Sequence, residues 1–435
     1  MTSTYRQGPR IGRGGTADVH LAVQDGPSGI RRLVVTKRIR KQLAARREIG
    51  RALLDEARVL ARLDHPNIVR LLDLGDDRGS PFLVVEYLAG ETLLTVLREL
   101  AGRGARIPWP VVCRIGADLA AGLEAAHGTR AADGSASPIF HRDLTPSNVI
   151  LCRSGAVKLI DFGIAKDGRV GDTRAGTVKG KLSYLAPELF GGGRAGRESD
   201  LWQLGVVLHE AASGQRLFEA GDDAARVDAV LRRPIPRLRM TAGEVPFDLE
   251  HLVQRLLARD PAERPTAAGE VRCALEEVMR SGGDQVSSHG LGDWLRTAVP
   301  HQLARRERRE RDCLRAAFAT DDTVVMAAPP VARRWKRMTA IAALAVAIVG
   351  SAAVARSSSE PRRRLAPEVC EAERRPALTS LAVPEPVRDS ARRAESAERD
   401  RQRRRDRQAT THRWVLVLAA AAAATATATA IAATR

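Results

Sequence analysis

Two carboxylates and an amide stand close together near the middle of the chain. Asp143 and Asn148 lie in the run Ile139-Phe140-His141-Arg142-Asp143-Leu144-Thr145-Pro146-Ser147-Asn148-Val149-Ile150-Leu151, and Asp161 follows eighteen residues beyond Asp143 in Lys158-Leu159-Ile160-Asp161-Phe162-Gly163. Oxygen donors emerging from short apolar strands can hold divalent cations and orient a hydroxyl for proton removal. Either acid alone is more often a turn residue. Near the N-terminus, Gly12-Arg13-Gly14-Gly15-Thr16-Ala17-Asp18-Val19 suits a tight hairpin whose backbone amides can approach phosphates, because no side chain intervenes. By itself such a loop is a weak signal in a glycine-rich chain. Lys37 ends the apolar run Leu33-Val34-Val35-Thr36-Lys37, where it is either an edge-strand charge or a buried ammonium in need of an anion. Glu56, nineteen residues later, can supply that anion.

The elements that must present these groups alternate. Residues 11–280 pass between strand-like and helix-like patterns without a long breaker-rich interruption, and the pattern around Leu53-Leu54-Asp55-Glu56-Ala57-Arg58-Val59-Leu60 is helical. Residues 282–288 mark a boundary. Residues 290–319 have the apolar spacing and charge density of an exposed helical piece, and 320–332 form a short Pro/Ala-rich linker. No internal repeat is present.

With these residues in this order, the segment from about residue 7 to 280 resembles a eukaryotic-like serine/threonine protein kinase domain, of the membrane-anchored kind found in bacteria. The resemblance also rests on Phe82-Leu83-Val84-Val85-Glu86-Tyr87-Leu88, Leu185-Ala186-Pro187-Glu188, Ser199-Asp200-Leu201-Trp202-Gln203-Leu204-Gly205-Val206 and Arg259-Asp260-Pro261-Ala262-Glu263-Arg264-Pro265. It covers most of that domain and none of the tail. It implies an α+β, bilobal kinase-like fold, with a β-rich N-lobe over 7–88 and a mainly helical C-lobe over 89–280. A juxtamembrane helix and linker (281–337), a transmembrane helix (338–355), an Arg-rich disordered segment (356–413) and a second apolar run (414–434) would follow.

The resemblance implies a role for each matching residue. Gly12, Gly14 and Gly15 would cover the ATP phosphates. Lys37 would bind the α- and β-phosphates, with Glu56 fixing its ammonium. Val85 would be the gatekeeper, and the backbone around Glu86 to Leu88 would take the adenine edge, with Val19 and Ile150 lining the same pocket. Asp161 would hold Mg2+, with Mn2+ as the alternative ion, and Asn148 a second ion. Asp143 would accept the substrate hydroxyl's proton. Leu60, Leu71, His141 and Phe162 match a stacked hydrophobic spine, Asp200 an anchor of the catalytic loop, and Glu188 with Arg264 a buried ion pair. The bland reading of these last residues, ordinary core, is compatible with that role.

Several residues depart from the family pattern. Val35 stands where alanine is usual, and Ala17 replaces a third glycine. Thr145 stands where serine/threonine kinases usually carry a lysine, and Lys181, in Gly180-Lys181-Leu182-Ser183-Tyr184, where threonine is common. Read together the two suggest an exchange that keeps one ammonium beside Asp143. The alternative is that Thr145 weakens transfer and Lys181 faces solvent. Arg142 before Asp143 resembles kinases controlled by a phosphorylated activation segment. Autophosphorylation is therefore expected at Thr177, with Thr173 second, and a homodimer could support it. A non-catalytic scaffold would lack Lys37, Asp143, Asn148 or Asp161, and all four are present.

Composition sets the remaining bounds. The 435 residues allow a domain of 200–300 residues with a full core plus a substantial remainder. With only 3% aromatic residues, the core must rest on Leu, Val, Ile and Ala. The 5 cysteines include no CxxC pair, which excludes a disulfide scaffold or zinc framework. Of the net charge of +18, twelve lie in residues 296–337 and 356–413, which fits a solvated tail beside a lipid bilayer better than a nucleic-acid reader. No apolar stretch of signal-peptide type precedes the glycine loop. Residues 338–355, MTAIAALAVAIVGSAAVA, are uncharged and would span about 27 Å as a helix, close to a bilayer's apolar core. The preceding Arg333, Arg334, Lys336 and Arg337 predict a cytoplasmic flank, hence a bacterial cytoplasmic-membrane protein with its kinase domain inside. The alanine- and threonine-rich 414–434 run has the length of a span but weak insertion, and low-complexity tail is the equal alternative. Protein substrates are expected, but no stretch names them.

Overall fold

Alternation at period two builds the N-terminal part. In β3 (Arg31–Ile39) Val34 and Thr36 are buried on one face while Val35 and Lys37 point to the other. Antiparallel neighbours complete a sheet in the order β4-β5-β3-β2-β1-β9, with β1 (Thr4–Arg13), β2 (Ala17–Asp25), β4 (Leu71–Asp77), β5 (Ser80–Glu86) and β9 (Val325–Ala327). Tyr5, Ala22, Val34, Phe82 and Val84 pack on one face, and Leu21 and Val23 on the other. The computed structural model describes residues 4–26, 30–77, 79–163, 181–319 and 325–327.

One amphipathic helix crosses this sheet. In α1 (Arg47–Leu60), Leu53, Ala57 and Leu60 recur at helical spacing and are buried, the first two against Ile39 and Leu83. Glu56 precedes Ala57 and so emerges at the margin of the buried stripe. The expected helix around Glu56 and the expected strand ending near Lys37 are both present.

The second half is helical apart from a small sheet, β6-β7-β8, made of β6 (Gly90–Thr92), β7 (Val149–Cys152) and β8 (Val157–Leu159). Gly90 is required there, since a Cβ would collide with the Leu151 carbonyl. Around it lie α2 (Leu93–Ala101), capped by the Thr92 hydroxyl, α3 (Trp109–His127), α4 (Pro187–Phe190), α5 (Arg197–Ser213), α6 (Asp223–Arg232), α7 (Leu238–Thr241), α8 (Phe247–Leu256) and α9 (Ala268–Ser281). α5 is buried from Ser199 through Ser213, including Asp200, Gln203 and Glu210, so it is the core's central rod rather than an amphipathic surface helix.

Two further helices, α10 (Ser288–Ala298) and α11 (Pro300–Ala319), correct one expectation. This segment is helical but not free on the surface. Leu291, Leu295, Val299 and Leu303 join the helical core, and Cys313 and Ala317 are buried against Leu21 and Val23 of β2. Among the described residues no helix is long and apolar enough to cross a membrane. The runs 338–355 and 414–434 lie outside the described residues.

Candidate active site

The cleft between sheet and helices collects the charged residues singled out by spacing. Lys37 is paired in register with Val19 on one side and Leu83 on the other, which fixes where its side chain leaves β3. Its Nζ donates to Glu56 Oε1 at 2.8 Å and Oε2 at 3.0 Å, and to Asp161 Oδ1 at 2.8 Å. Burial opposes the ammonium, but Asp161 and Glu56 outweigh it and raise the Lys37 pKa further above its ordinary value. Lys37 is therefore a fixed cation at neutral pH.

α5 holds the loop that carries Asp143. The fully buried Asp200 carboxylate accepts the His141 and Arg142 amides, each at 2.8 Å, and meets His127 Nε2 at 2.9 Å. Gln203 Oε1 accepts the Leu144 amide at 2.8 Å. Three loop amides on two α5 side chains thus replace the regular backbone pairing this loop lacks, and His127 of α3 steadies the Asp200 carboxylate. Arg142 (φ 62°) and Asp161 (φ 58°) are held in the left-handed region, which non-glycine residues seldom adopt and which clusters at functional sites.

The Asp161 segment is locked to the same loop. Gly163 N donates to His141 O at 2.8 Å, Ile160 N to Asn148 O at 3.0 Å, and the His141 and Phe162 rings lie 4.6 Å apart. A Cβ at Gly163 would lie 3.0 Å from the Asp143 Cβ, so glycine permits this approach. Burial lowers the His141 pKa despite the nearby carboxylates, keeping the ring neutral. Leu60 and Phe162 share a cluster against which Leu71 and Val85 pack, so the expected spine residues are brought together.

Asp143 is itself buried, with Asn148 Nδ2 donating to its carbonyl at 2.8 Å and to Oδ2 at 3.2 Å. Lys181 Nζ donates to the same Oδ2 at 2.5 Å. Thr145, also buried, shares a 2.8 Å hydroxyl contact with Ser147. The loop position that usually carries a cation is thus filled by a hydroxyl, while an ammonium reaches Asp143 from the activation segment.

Asp161 and Asn148 suit a hard cation. The Asn148 amide nitrogen is committed to Asp143, which leaves its oxygen without a partner among the described residues, and Asp161 is partly exposed with one oxygen on Lys37. Two oxygen ligands completed by phosphate oxygens and water make the usual protein share of a Mg2+ site.

Other expected residues fall at the rim and in the frame. Gly14 and Gly15 are exposed and Gly12 half-buried on the β1–β2 hairpin, closed by Gly14 N donating to Ala17 O at 2.8 Å. Leu88 and Ile150 are buried in one cluster at the hinge. The Glu86 side chain turns away to accept from Lys158 Nζ at 2.6 Å and the Arg70 amide at 2.9 Å, leaving only its backbone for a base edge. Sequence reasoning missed the Glu86–Lys158 pair, because neither residue shows a partner in its local pattern. Glu188 meets Arg264 through two parallel bonds of 2.9 and 2.8 Å, and the guanidinium also lies over Trp202. Thr173 and Thr177 lie outside the described residues.

The protein kinase domain family matches residues 5–275. This chain belongs to that family. It is 38% identical over 289 residues to the tyrosine-protein kinase MasK of Myxococcus xanthus, covering 66% of this chain and 45% of the relative. It is 35% identical over 288 residues to the serine/threonine-protein kinase PknK of Mycobacterium tuberculosis, covering 65% and 24%, and 32% identical over 288 residues to PknB of Mycobacterium leprae, covering 64% and 43%. The chain thus spans less than half the length of each of these relatives. Protein kinases use ATP and a divalent metal and act on protein substrates, and the fold expected from the motifs, a β-sheet N-lobe over a helical C-lobe, is the one described above.

Proposed function

We propose that this chain is a serine/threonine protein kinase that transfers the γ-phosphoryl group of ATP to protein hydroxyls. One observation carries the reading: Lys37 bridges Glu56 and Asp161 while Asp143, held by the same loop, faces the cleft beside Lys181 and Asn148. A scaffold that had lost catalysis would have no need to keep these six charged or polar groups converging. Lys37 would bind the phosphates, Asp143 would align the acceptor hydroxyl and take its proton, and Lys181 would neutralise charge developing on the transferred group. Mg2+ held by Asp161 and Asn148 would supply charge neutralisation at the phosphates. The similarity to PknK and PknB, serine/threonine-protein kinases by name, supports serine/threonine acceptors, and that to MasK, a tyrosine-protein kinase by name, a tyrosine.

The reading extends to the tail as drawn from the sequence: anchorage in the bacterial cytoplasmic membrane through 338–355, the kinase domain on the cytoplasmic side, and autophosphorylation at Thr177 and Thr173, with a transient homodimer as the means. The full chain, incubated with γ-labelled ATP and Mg2+, should label itself and a generic protein acceptor, with phosphoserine or phosphothreonine recovered on hydrolysis. Asp143→Asn should abolish the label. Phosphotyrosine alone would overturn the acceptor assignment, and an unlabelled wild-type chain the activity. Protease protection of an epitope at residue 385 in intact cells tests the topology.

A further inference from the structure

The family match ends at residue 275, yet the chain continues as α10 and α11 and returns to the nucleotide cleft. α11 touches three places whose relative positions define that cleft. On the helical side, Arg306 grips the buried Glu91 carboxylate with Nε at 2.8 Å and a terminal nitrogen at 3.2 Å. At the hinge, Tyr87 donates its hydroxyl to Glu310 at 2.6 Å, and Arg153 binds the other Glu310 oxygen at 2.9 Å and Glu307 at 2.6 Å. On the sheet side, Cys313, Ala317 and Leu314 pack with Leu21, Val23 and Ile11. Ile11 adjoins Gly12, and Leu21 lies two positions beyond Val19. β1 comes close enough only because Gly8 lacks a side chain, as its Cβ would lie 2.5 Å from Cys313 Sγ.

We propose that Arg306 and Glu310 are positioning residues for the nucleotide: acting through Glu91 and Tyr87, they make α11 a splint across the hinge that sets the distance between the glycine-rich loop and the helical lobe. The inference rests on reading the cleft as an ATP site. A rigid helix fixed to both lobes resists their opening, because rotation about the hinge must shear one attachment. The Glu91 carboxylate is buried and held in two bonds by Arg306, and removing that guanidinium would leave a charge uncompensated beside the hinge. Tyr87 adds its ring to the apolar cluster and its hydroxyl to Glu310, so one hinge residue reports on both kinds of contact.

The test uses the full chain with Arg306→Ala, Arg306→Lys and Tyr87→Phe. Each variant is read by binding of a fluorescent ATP analogue with Mg2+, by KM for ATP against kcat, and by amide hydrogen exchange over residues 85–92 and 11–19. Arg306→Ala should raise the ATP Kd and KM about 5- to 20-fold. Its kcat at saturating ATP should stay within about twofold of wild type. Exchange at the hinge and glycine loop should quicken, Arg306→Lys should recover most of the affinity, and Tyr87→Phe should shift affinity the same way by a smaller factor. Unchanged affinity and exchange in both Arg306→Ala and Tyr87→Phe overturn the splint, as does a loss of kcat with KM unmoved. Should Arg306→Ala fail to fold, Tyr87→Phe, which removes a single oxygen, decides the matter. A wild-type chain that neither binds ATP nor transfers phosphoryl refutes the kinase reading alone, and hinge exchange in the variants still judges the splint.

Discussion

Removing the Lys181 ammonium tests whether the activation segment supplies the cation that the catalytic loop lacks. Lys181 Nζ lies 2.5 Å from Asp143 Oδ2, with the lysine side chain 41% exposed and the aspartate's 10%. A hydrogen bond to a charged group is worth about 1.5–3 kcal/mol, and water around the half-exposed ammonium holds the value toward the lower part of that range. When phosphoryl transfer moves negative charge toward the acceptor, this ammonium is the fixed cation nearest Asp143. Lys181→Ala should therefore lower kcat about 10- to 100-fold, equivalent to about 1.4–2.7 kcal/mol, while the KM for ATP changes much less. Thr145→Lys alone should not help, because position 145 is buried and a second ammonium would crowd the first. The double variant Thr145→Lys/Lys181→Thr restores the commoner arrangement and should exceed the product of the single effects. Steady-state kinetics with a fixed peptide acceptor measures wild type, Lys181→Ala and the members of the cycle, Thr145→Lys, Lys181→Thr and the double variant. Unchanged turnover in Lys181→Ala, or strictly additive effects in the double variant, would refute the exchange and leave Lys181 a solvent-facing residue.

Arg264→Ala should destabilise the fold by about 3–5 kcal/mol in urea titrations, because Glu188 would be left without its partner, whereas breaking the exposed Arg232–Asp228 pair should change the unfolding free energy by less than about 1 kcal/mol. Gly163→Ala places a Cβ 3.0 Å from that of Asp143, and should lower kcat about 10- to 100-fold by displacing Asp143 while the melting transition moves little. Burial lowers the pKa of His141, and also that of His209 against the opposing Pro236 carbonyl, so both stay neutral in the fold while the unfolded chain takes up protons below about pH 6.5. Their contribution is complete above that pH and is lost as pH falls, by about 1.4 kcal/mol per histidine per unit. Denaturant midpoints at pH 7.5 and 5.5 should show this slope, and His209→Gln should reduce it by one histidine's share.

The central chemistry was legible because it is carried by residues whose types are dictated locally. Asp143, Asn148 and Asp161 follow or precede short apolar strands, and the strand β3 and helix α1 have clear periods of two and of helical spacing, so Lys37 could be placed at a strand's end and Glu56 on a helix before any distance was known. Lys181 was legible only against the kinase pattern, where Thr145 stands in the place of a lysine and Lys181 in that of a threonine, and that comparison left a solvent-facing lysine as the alternative. The Glu86–Lys158 pair was not legible. Its members are 72 positions apart, and each alone has the look of an ordinary strand-end charge.

α11 shows why charge density misled. Its twenty residues, Pro300–Ala319, are rich in arginine and glutamate, and a helix of that composition ordinarily faces water. Burial here does not require an apolar face of normal width, because the long charged side chains find fixed counter-charges. Arg306 meets Glu91, while Glu307 and Glu310 meet Arg153. Such side chains also cover apolar surface with their methylene stems while their heads are paired. The apolar stripe that remains is narrow, and its Cys313, Leu314 and Ala317 are too small or too few to announce a core helix by periodicity. Only the opposing charges identify the surface, and those, Glu91 on β6 and Arg153 just after β7, lie more than 150 residues earlier. The same feature that hid the helix gives it leverage: its polar, directional contacts fall on the helical lobe and the hinge while its apolar ones hold the sheet, so a change of one guanidinium should reach the nucleotide rather than merely loosen a core.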